Sequence, residues 1–365
     1  MFVRPRNQKR NRTRIRTGFR LGIRACALAA IVAAIGLSNR LNAQELTVGT
    51  TGSSSDAPFF IADKKGYFAD EGLKVKIIRF DSAAKMIPSL GTGELDVGSG
   101  ATSAGLYNAA KRGVDIRIVA DKARAAKGYG FESILLRKDL AESGKIKSLK
   151  DFKGLRVAIS AIGNSESALM NIALQQGGLS FGDIDPVYLG FPEHTAAFLN
   201  RAIDASLTVE PTTSQILKMG TAVKLIGADD VFPNYQTAVT FYGGNFIKNK
   251  PESAKKFMQA LVHGMRFYND SLQGGKIAGP NADEVIAILV EYSHIKDPAV
   301  HRAIISHAVD PDGYVNVDSL RRSWEFFKDT KQIDGSIAVE AVLDLSFVKD
   351  AAAALGPYAK KPIAQ

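Results

Sequence analysis

The chain has 365 residues, 45% of them hydrophobic and 23% charged, with a formal net charge of +10 and a single cysteine, Cys26. The basic excess is local: residues 1–43 hold nine arginines, one lysine and no acid, leaving 37 basic and 37 acidic side chains in the other 322 residues. A neutral chain beyond position 43 carries no electrostatic footprint for nucleic acid or a membrane surface, and with no cysteine there it has neither a disulfide framework nor a thiolate site.

The first 43 residues read as an export signal. A basic start, an apolar run over 25–37 and the ending Leu41-Asn42-Ala43 make a secretory signal peptide, cleaved near Gln44. Thirteen apolar residues are short of the roughly 20 that a membrane span needs. Consecutive arginines are missing from this segment and Arg24 lies just ahead of Cys26, which speaks against twin-arginine export and against a lipid anchor. The expected product is a soluble periplasmic protein of 322 residues, enough for two domains.

A strand is predicted at 46–50, running into the polar loop Ser53, Ser54, Ser55, Asp56; Pro58 then pre-sets the first turn of a helix that Gly66 closes. Residues 73–78 alternate apolar and lysine positions as a half-buried strand does. Ser82 caps a helix over 82–90, and a strand at 96–99 leads through Ser99 to a helix start at Ala101-Thr102-Ser103. A strand at 116–120 brings Lys122 to its end. The same order then returns. A strand at 155–160 ends on Ser160, a loop holds Asn164, and a helix over 165–176, capped by Ser165 and carrying Glu166, closes at Gly177-Gly178. A strand at 187–189, a helix at 192–201 with Phe191 and His194 at its start, and a strand at 205–209 leading to Glu210-Pro211 complete the second set. Val48 to Asp96 spans 48 positions and Val157 to Asp204 spans 47, which implies two α/β lobes of like design facing each other across a cleft. The last third is helical, over 251–269, 284–292, 300–308 and 320–327, with Asp310-Pro311-Asp312-Gly313 as a turn that lacks the acid spacing of a calcium loop.

Ligands of open α/β sheets bind outside the carboxyl ends of strands, where helix N-termini present free N–H groups. That places Ser54, Ser55, Asp56, Ser82, Ser99, Thr102 and Lys122 on one wall of the cleft and Ser160, Asn164, Ser165, Glu166, Phe191, His194 and Glu210 on the other. Enzymatic motifs are missing. No phosphate-binding G-x-x-x-x-G-K-[ST], no histidine pair at metal spacing and no G-x-S-x-G occur, and Gly98-Ser99-Gly100 departs from a dinucleotide fingerprint at Ser103. No cofactor or metal is expected.

The segments APFFIADKKGYFADEGLKV (57–75), GELDVG (93–98), GATSAGLYNAAKRGVDIRIVADK (100–122) and LTVEP (207–211) resemble the periplasmic solute-binding proteins of the nitrate, sulfonate and taurine branch of ABC importers. The resemblance implies a two-lobed type II periplasmic-binding fold with an inter-lobe cleft, hinge closure and crossover strands at 133–137 and 237–242. It divides the chain into lobe 1 (44–137 and 233–365) and lobe 2 (138–232). It also implies a monomer that is not an enzyme, whose partners are a small solute and an inner-membrane permease with its ATPase. The pyrimidine synthase of fungal thiamine biosynthesis shares this fold but needs a cysteine-rich metal motif that residues 44–365 cannot supply. Helix N-termini favour an anionic solute, while Asp56, Glu166 and Glu210 oppose a naked anion such as nitrate. An organic anion or zwitterion of the sulfonate or taurine kind is therefore expected; an aromatic acid or pyrimidine stacked on Phe59, Phe60, Tyr129 or Phe191 is the alternative.

Overall fold

The computed structural model describes residues 1–3 and 43–360, so the export signal lies outside the described residues. Strands β1 (Gln44–Thr50), β2 (Leu73–Arg79), β3 (Val97–Gly100) and β4 (Ile116–Ala125) join β10 (Tyr235–Gly243) in one sheet, ordered β2-β1-β3-β10-β4. Strands β5 (Glu132–Arg137), β6 (Arg156–Ile159), β7 (Asp185–Tyr188), β8 (Ala205–Val209) and β9 (Ala222–Gly227) form a second, ordered β7-β6-β8-β5-β9.

The two orders are one plan used twice. In the first sheet β1 and β3 are parallel and β10 runs antiparallel between β3 and β4; in the second β6 and β8 are parallel and β5 runs antiparallel between β8 and β9. Each intruding strand is the one by which the chain has just changed sheet. The outward change falls between Ala125 and Glu132, earlier than the boundary after residue 137 read from the sequence, and the return falls between Gly227 and Tyr235. The 48- and 47-residue spacings have a physical counterpart. Asp96 accepts the Thr47 N–H at 2.9 Å ahead of the Val48–Val97 pairing, and Asp204 accepts the Arg156 N–H at 3.0 Å ahead of the Val157–Ala205 pairing.

The helical last third packs mainly on the first sheet. Helix Pro251–Asp270 buries Phe257, Leu261, Met265 and Tyr268 against helix Ala57–Lys64, and the two come close because Gly264 has no side chain: a Cβ there would sit 2.3 Å from the Pro58 carbonyl oxygen. Phe59 and Phe60 belong to this core, Phe59 against Phe257 and Phe60 stacked on Tyr292 at 4.8 Å. The helix expected over 300–308 stops early, at Pro298–Ala303. The chain beyond it is drawn out along β4, where Arg124 and Ala308 exchange backbone hydrogen bonds of 2.7 and 3.1 Å. No helix among the described residues is long and apolar enough to cross a membrane.

Candidate functional site

Because β1, β3 and β4 point one way, their carboxyl ends share an edge; β6, β8 and β9 do the same in the second sheet. A chamber between these edges takes Thr51, Ser53, Ser55, Ser82, Gly100, Lys122 and Thr237 from the first sheet's side, and Phe131, Glu132, Ser160, Glu166, Phe191 and Val209 from the second's. Its free space is about 20 Å3, room for about one water. Backbone hydrogen bonds join the facing loops around it: Ser54 N–H to Glu210 (2.9 Å), Ala104 N–H to Gly163 (2.8 Å) and Ser165 N–H to Thr102 (2.9 Å).

Lys122 reaches the chamber by a bulge. Along β4, Asp121 pairs with Val239 and Ala123 with Ala238, so Lys122 is an extra residue with no opposite number; Thr237 is the extra residue on β10, between Gln236 and Ala238. Such bulges re-aim side chains, and both extra residues line the chamber. The Lys122 ammonium lies 2.7 Å from Asp56 Oδ1, with both side chains at most 1% exposed. Asp56 is fully engaged, accepting also from Ser99 Oγ (3.2 Å), the Ser53 N–H (3.0 Å) and Thr51 Oγ1 (3.4 Å).

The opposite wall is acidic. Glu166, in the first turn of helix Ser165–Gln176, accepts the Ser160 hydroxyl at 2.7 Å and its N–H at 3.0 Å. Burial nevertheless pushes its carboxyl up to about 7, the hydrogen bonds only partly offsetting it. Glu132, at the amino end of β5 opposite Val209, is 3% exposed, and its Oε2 has no hydrogen-bond partner. Burial first, and then the negative Glu166, raise its carboxyl well above the ordinary range against the pull of Lys122. Behind Lys122, burial and that lysine's charge push His307 well down.

A pH test follows for Glu166. Its folded-state value lies above its ordinary 4.5, so between those values the folded state holds more protons than the unfolded one, and stability is full below about 4.5 and lost as pH rises through about 7. Buried His194, lowered to about 4 by burial, works the other way as pH falls. The effect is therefore read as a difference. Relative to wild type, Glu166→Gln gains stability between about pH 5 and pH 8, on the order of 3 kcal/mol at the high end. A constant difference across that range would contradict the burial argument.

Of the fourteen residues expected at the site, Ser55, Ser82, Lys122, Ser160, Glu166 and Phe191 line the chamber. The other eight are buried around it. Asp56 holds Lys122 and Ser99 donates to Asp56; Ser54 and Thr102 sit in the loops that meet across the edges. Ser165 does not cap its helix, because Asn164 takes that role, accepting the Ser167 N–H at 3.2 Å while donating to Ser160 Oγ at 2.9 Å. His194 hydrogen-bonds the Leu189 carbonyl, and Glu210 accepts from the Ser214 N–H and hydroxyl, so neither turns to the chamber. Lys122 is inside a strand rather than at its end. Among the four aromatic candidates, Phe59 and Phe60 are core and Tyr129 packs near Ala126 and Ala308.

Sequence reasoning passed over Thr51, Phe131, Glu132 and Thr237, and placed Ser53 in the facing loop without counting it at the site. Glu132 left a usable trace: an acid heading the apolar run Ile134-Leu135-Leu136 must be buried once that run lies mid-sheet. Thr237 left none, since a bulge is a property of two paired strands. Among the described residues no three His, Cys, Asp or Glu side chains gather as a metal site.

Comparison with known proteins adds to this geometry. A family model described as NMT1/THI5 like matches residues 53–271. A Bacillus subtilis protein named as a candidate aliphatic sulfonates-binding protein is 27% identical over 84% of this chain and 88% of its own length. The taurine-binding periplasmic protein of Escherichia coli is 24% identical over 62% of this chain and 68% of its own. The alkanesulfonate-binding protein of Xanthomonas axonopodis pv. citri, solved with MOPS, superposes with a TM-score of 0.65 at 18% identity, covering 83% of this chain and 98% of that one. The periplasmic nitrate-binding protein of Synechocystis gives 0.72 at 15% identity over 86% and 89%. A desulfurization enzyme, DSZB, gives 0.61 at 12% identity over 86% and 100%. At these identities the solved structures establish the fold, a two-lobed α/β fold of the periplasmic-binding type.

Proposed function

We propose that this chain, which belongs to the NMT1/THI5-like family, is the solute-binding component of an ABC-type import system. In this reading each sheet is the base of one lobe, and the lobes close as a monomer on a small organic anion or zwitterion of the sulfonate or taurine kind. The protein works in the periplasm and hands its solute to an inner-membrane permease with its ATPase. The observation that carries the proposal is the chamber, where the carboxyl edges of both sheets meet on one small polar space. Names borne by relatives, aliphatic sulfonates and taurine, favour that solute class. The fold also supports an enzyme, DSZB, and the names of the sequence relatives, which are binding proteins, favour binding over catalysis in this reading. Phe131 and Phe191 on the chamber wall favour an aromatic acid or pyrimidine as the second reading.

A thermal-shift screen over sulfonates, taurine, aromatic acids and pyrimidines tests this. A solute at 100 times its Kd stabilises the protein by about 2.7 kcal/mol. Stabilisation by sulfonates or taurine supports the first reading, and stabilisation by ring acids alone moves the second ahead. A flat response to every class removes the binding role.

A further inference from the structure

Of the chamber's charged side chains, Lys122 already has a counter-charge: its ammonium lies 2.7 Å from Asp56 Oδ1, so an anion there would compete with a buried carboxylate. What remains open is acceptor capacity. Glu132 Oε2 is buried and has no hydrogen-bond partner, Ser82 Oγ is likewise buried and unpartnered, and both residues line the same space as Glu166. A buried carboxylate oxygen left without a partner is costly unless something that binds there satisfies it. A sulfonate or carboxylate beside two glutamates would be repelled, whereas an N–H cation would donate to one or both.

We infer that Glu132 and Glu166 form the subsite for a protonated nitrogen, so that the solute carries an ammonium, amidinium or guanidinium group and the hydroxyls and helix starts of the opposite wall take its other end. This rests on the solute-binding reading and narrows it, from any small anion or zwitterion to a solute with a cationic nitrogen. The burial of both acids fits: it raises both carboxyls above their ordinary range, and a bound cation would lower them again.

The test uses matched probes that differ only at that group: 2-aminoethanesulfonate against 2-hydroxyethanesulfonate, and 3-aminopropanoate against 3-hydroxypropanoate, by calorimetry at neutral pH. The expected result is that the amine of at least one pair binds ten times or more tighter than its hydroxyl partner. Glu132→Gln, which removes the buried acid, should melt higher than wild type and lose that preference, and Glu166→Gln should weaken it. If the hydroxyl members bind as well as the amines, or if both variants keep the preference, the cation subsite is wrong while the solute-binding role stands. If no member of either pair binds, the proposed solute class fails and takes the subsite with it.

Discussion

Replacing Lys122 by methionine lowers the stability of the empty protein by about 3–5 kcal/mol, the usual cost of removing one partner from a buried ion pair. Asp56 is fully buried, and its remaining donors, Ser99 Oγ, Thr51 Oγ1 and the Ser53 N–H, are neutral dipoles. They can satisfy its lone pairs but cannot cancel its charge. The pair as a whole need contribute little, because desolvating both ions offsets most of their attraction. The double variant Asp56→Asn with Lys122→Met therefore recovers most of the loss, and because Asp56→Asn alone strands buried Lys122, the coupling energy between the sites is at least roughly 3 kcal/mol. Urea unfolding of the four proteins measures this cycle. A single-variant loss under about 1 kcal/mol would mean that three neutral donors suffice for Asp56. Lys122 would then be free to swing toward a solute, and the inference of a cationic nitrogen would lose its main support.

How far the sequence could lead depended on whether a feature was local. Strand β8 and helix Ser165–Gln176 have the bounds expected, the helix end because the paired glycines that close it act within a few residues. The duplicated plan was also legible, because Asp96 and Asp204 each sit one residue before a strand and pin the amide of its parallel neighbour. Lys122 was not legible in its true setting. Every residue from Val119 to Ala125 is buried, so no alternation marks where β4 ends, and the bulge that turns the lysine inward exists only once β10 lies beside it. Glu210 misled differently: next to Pro211 it looks like a cleft acid, yet its carboxylate folds back on Ser214, four residues on, and on the Ile305 N–H. Side chains whose partners are a few residues away read as caps or turns; those whose partners are a hundred residues away read as nothing in particular.

Chemical locking of the facing loops blocks solute entry. Free space of about 20 Å3 is far below what even a small sulfonate fills, so the proposed binding role requires the edges of the two sheets to part before a solute enters. Ser103 and Asn164, one from each side, are partners in an isolated antiparallel bridge. Such partners have Cα atoms roughly 4.5–5.5 Å apart, within the range of about 4.4–6.8 Å that a disulfide spans. A protein comprising residues 44–365 with Ser103→Cys and Asn164→Cys contains no other thiol. Oxidation should leave its secondary structure unchanged and remove the open state from which solute enters. With about 99% of molecules crosslinked, the observed association rate falls on the order of 100-fold, and a reductant restores it. The reduced form of the same variant is the control, so loss of the Asn164 cap enters both arms equally. Stopped-flow binding of whichever solute the thermal screen identifies reads the rates. Equal rates with and without the crosslink would mean that solute enters by a path that leaves Ser103 and Asn164 together, and closure of the two sheets around the chamber would not be how this protein captures its ligand.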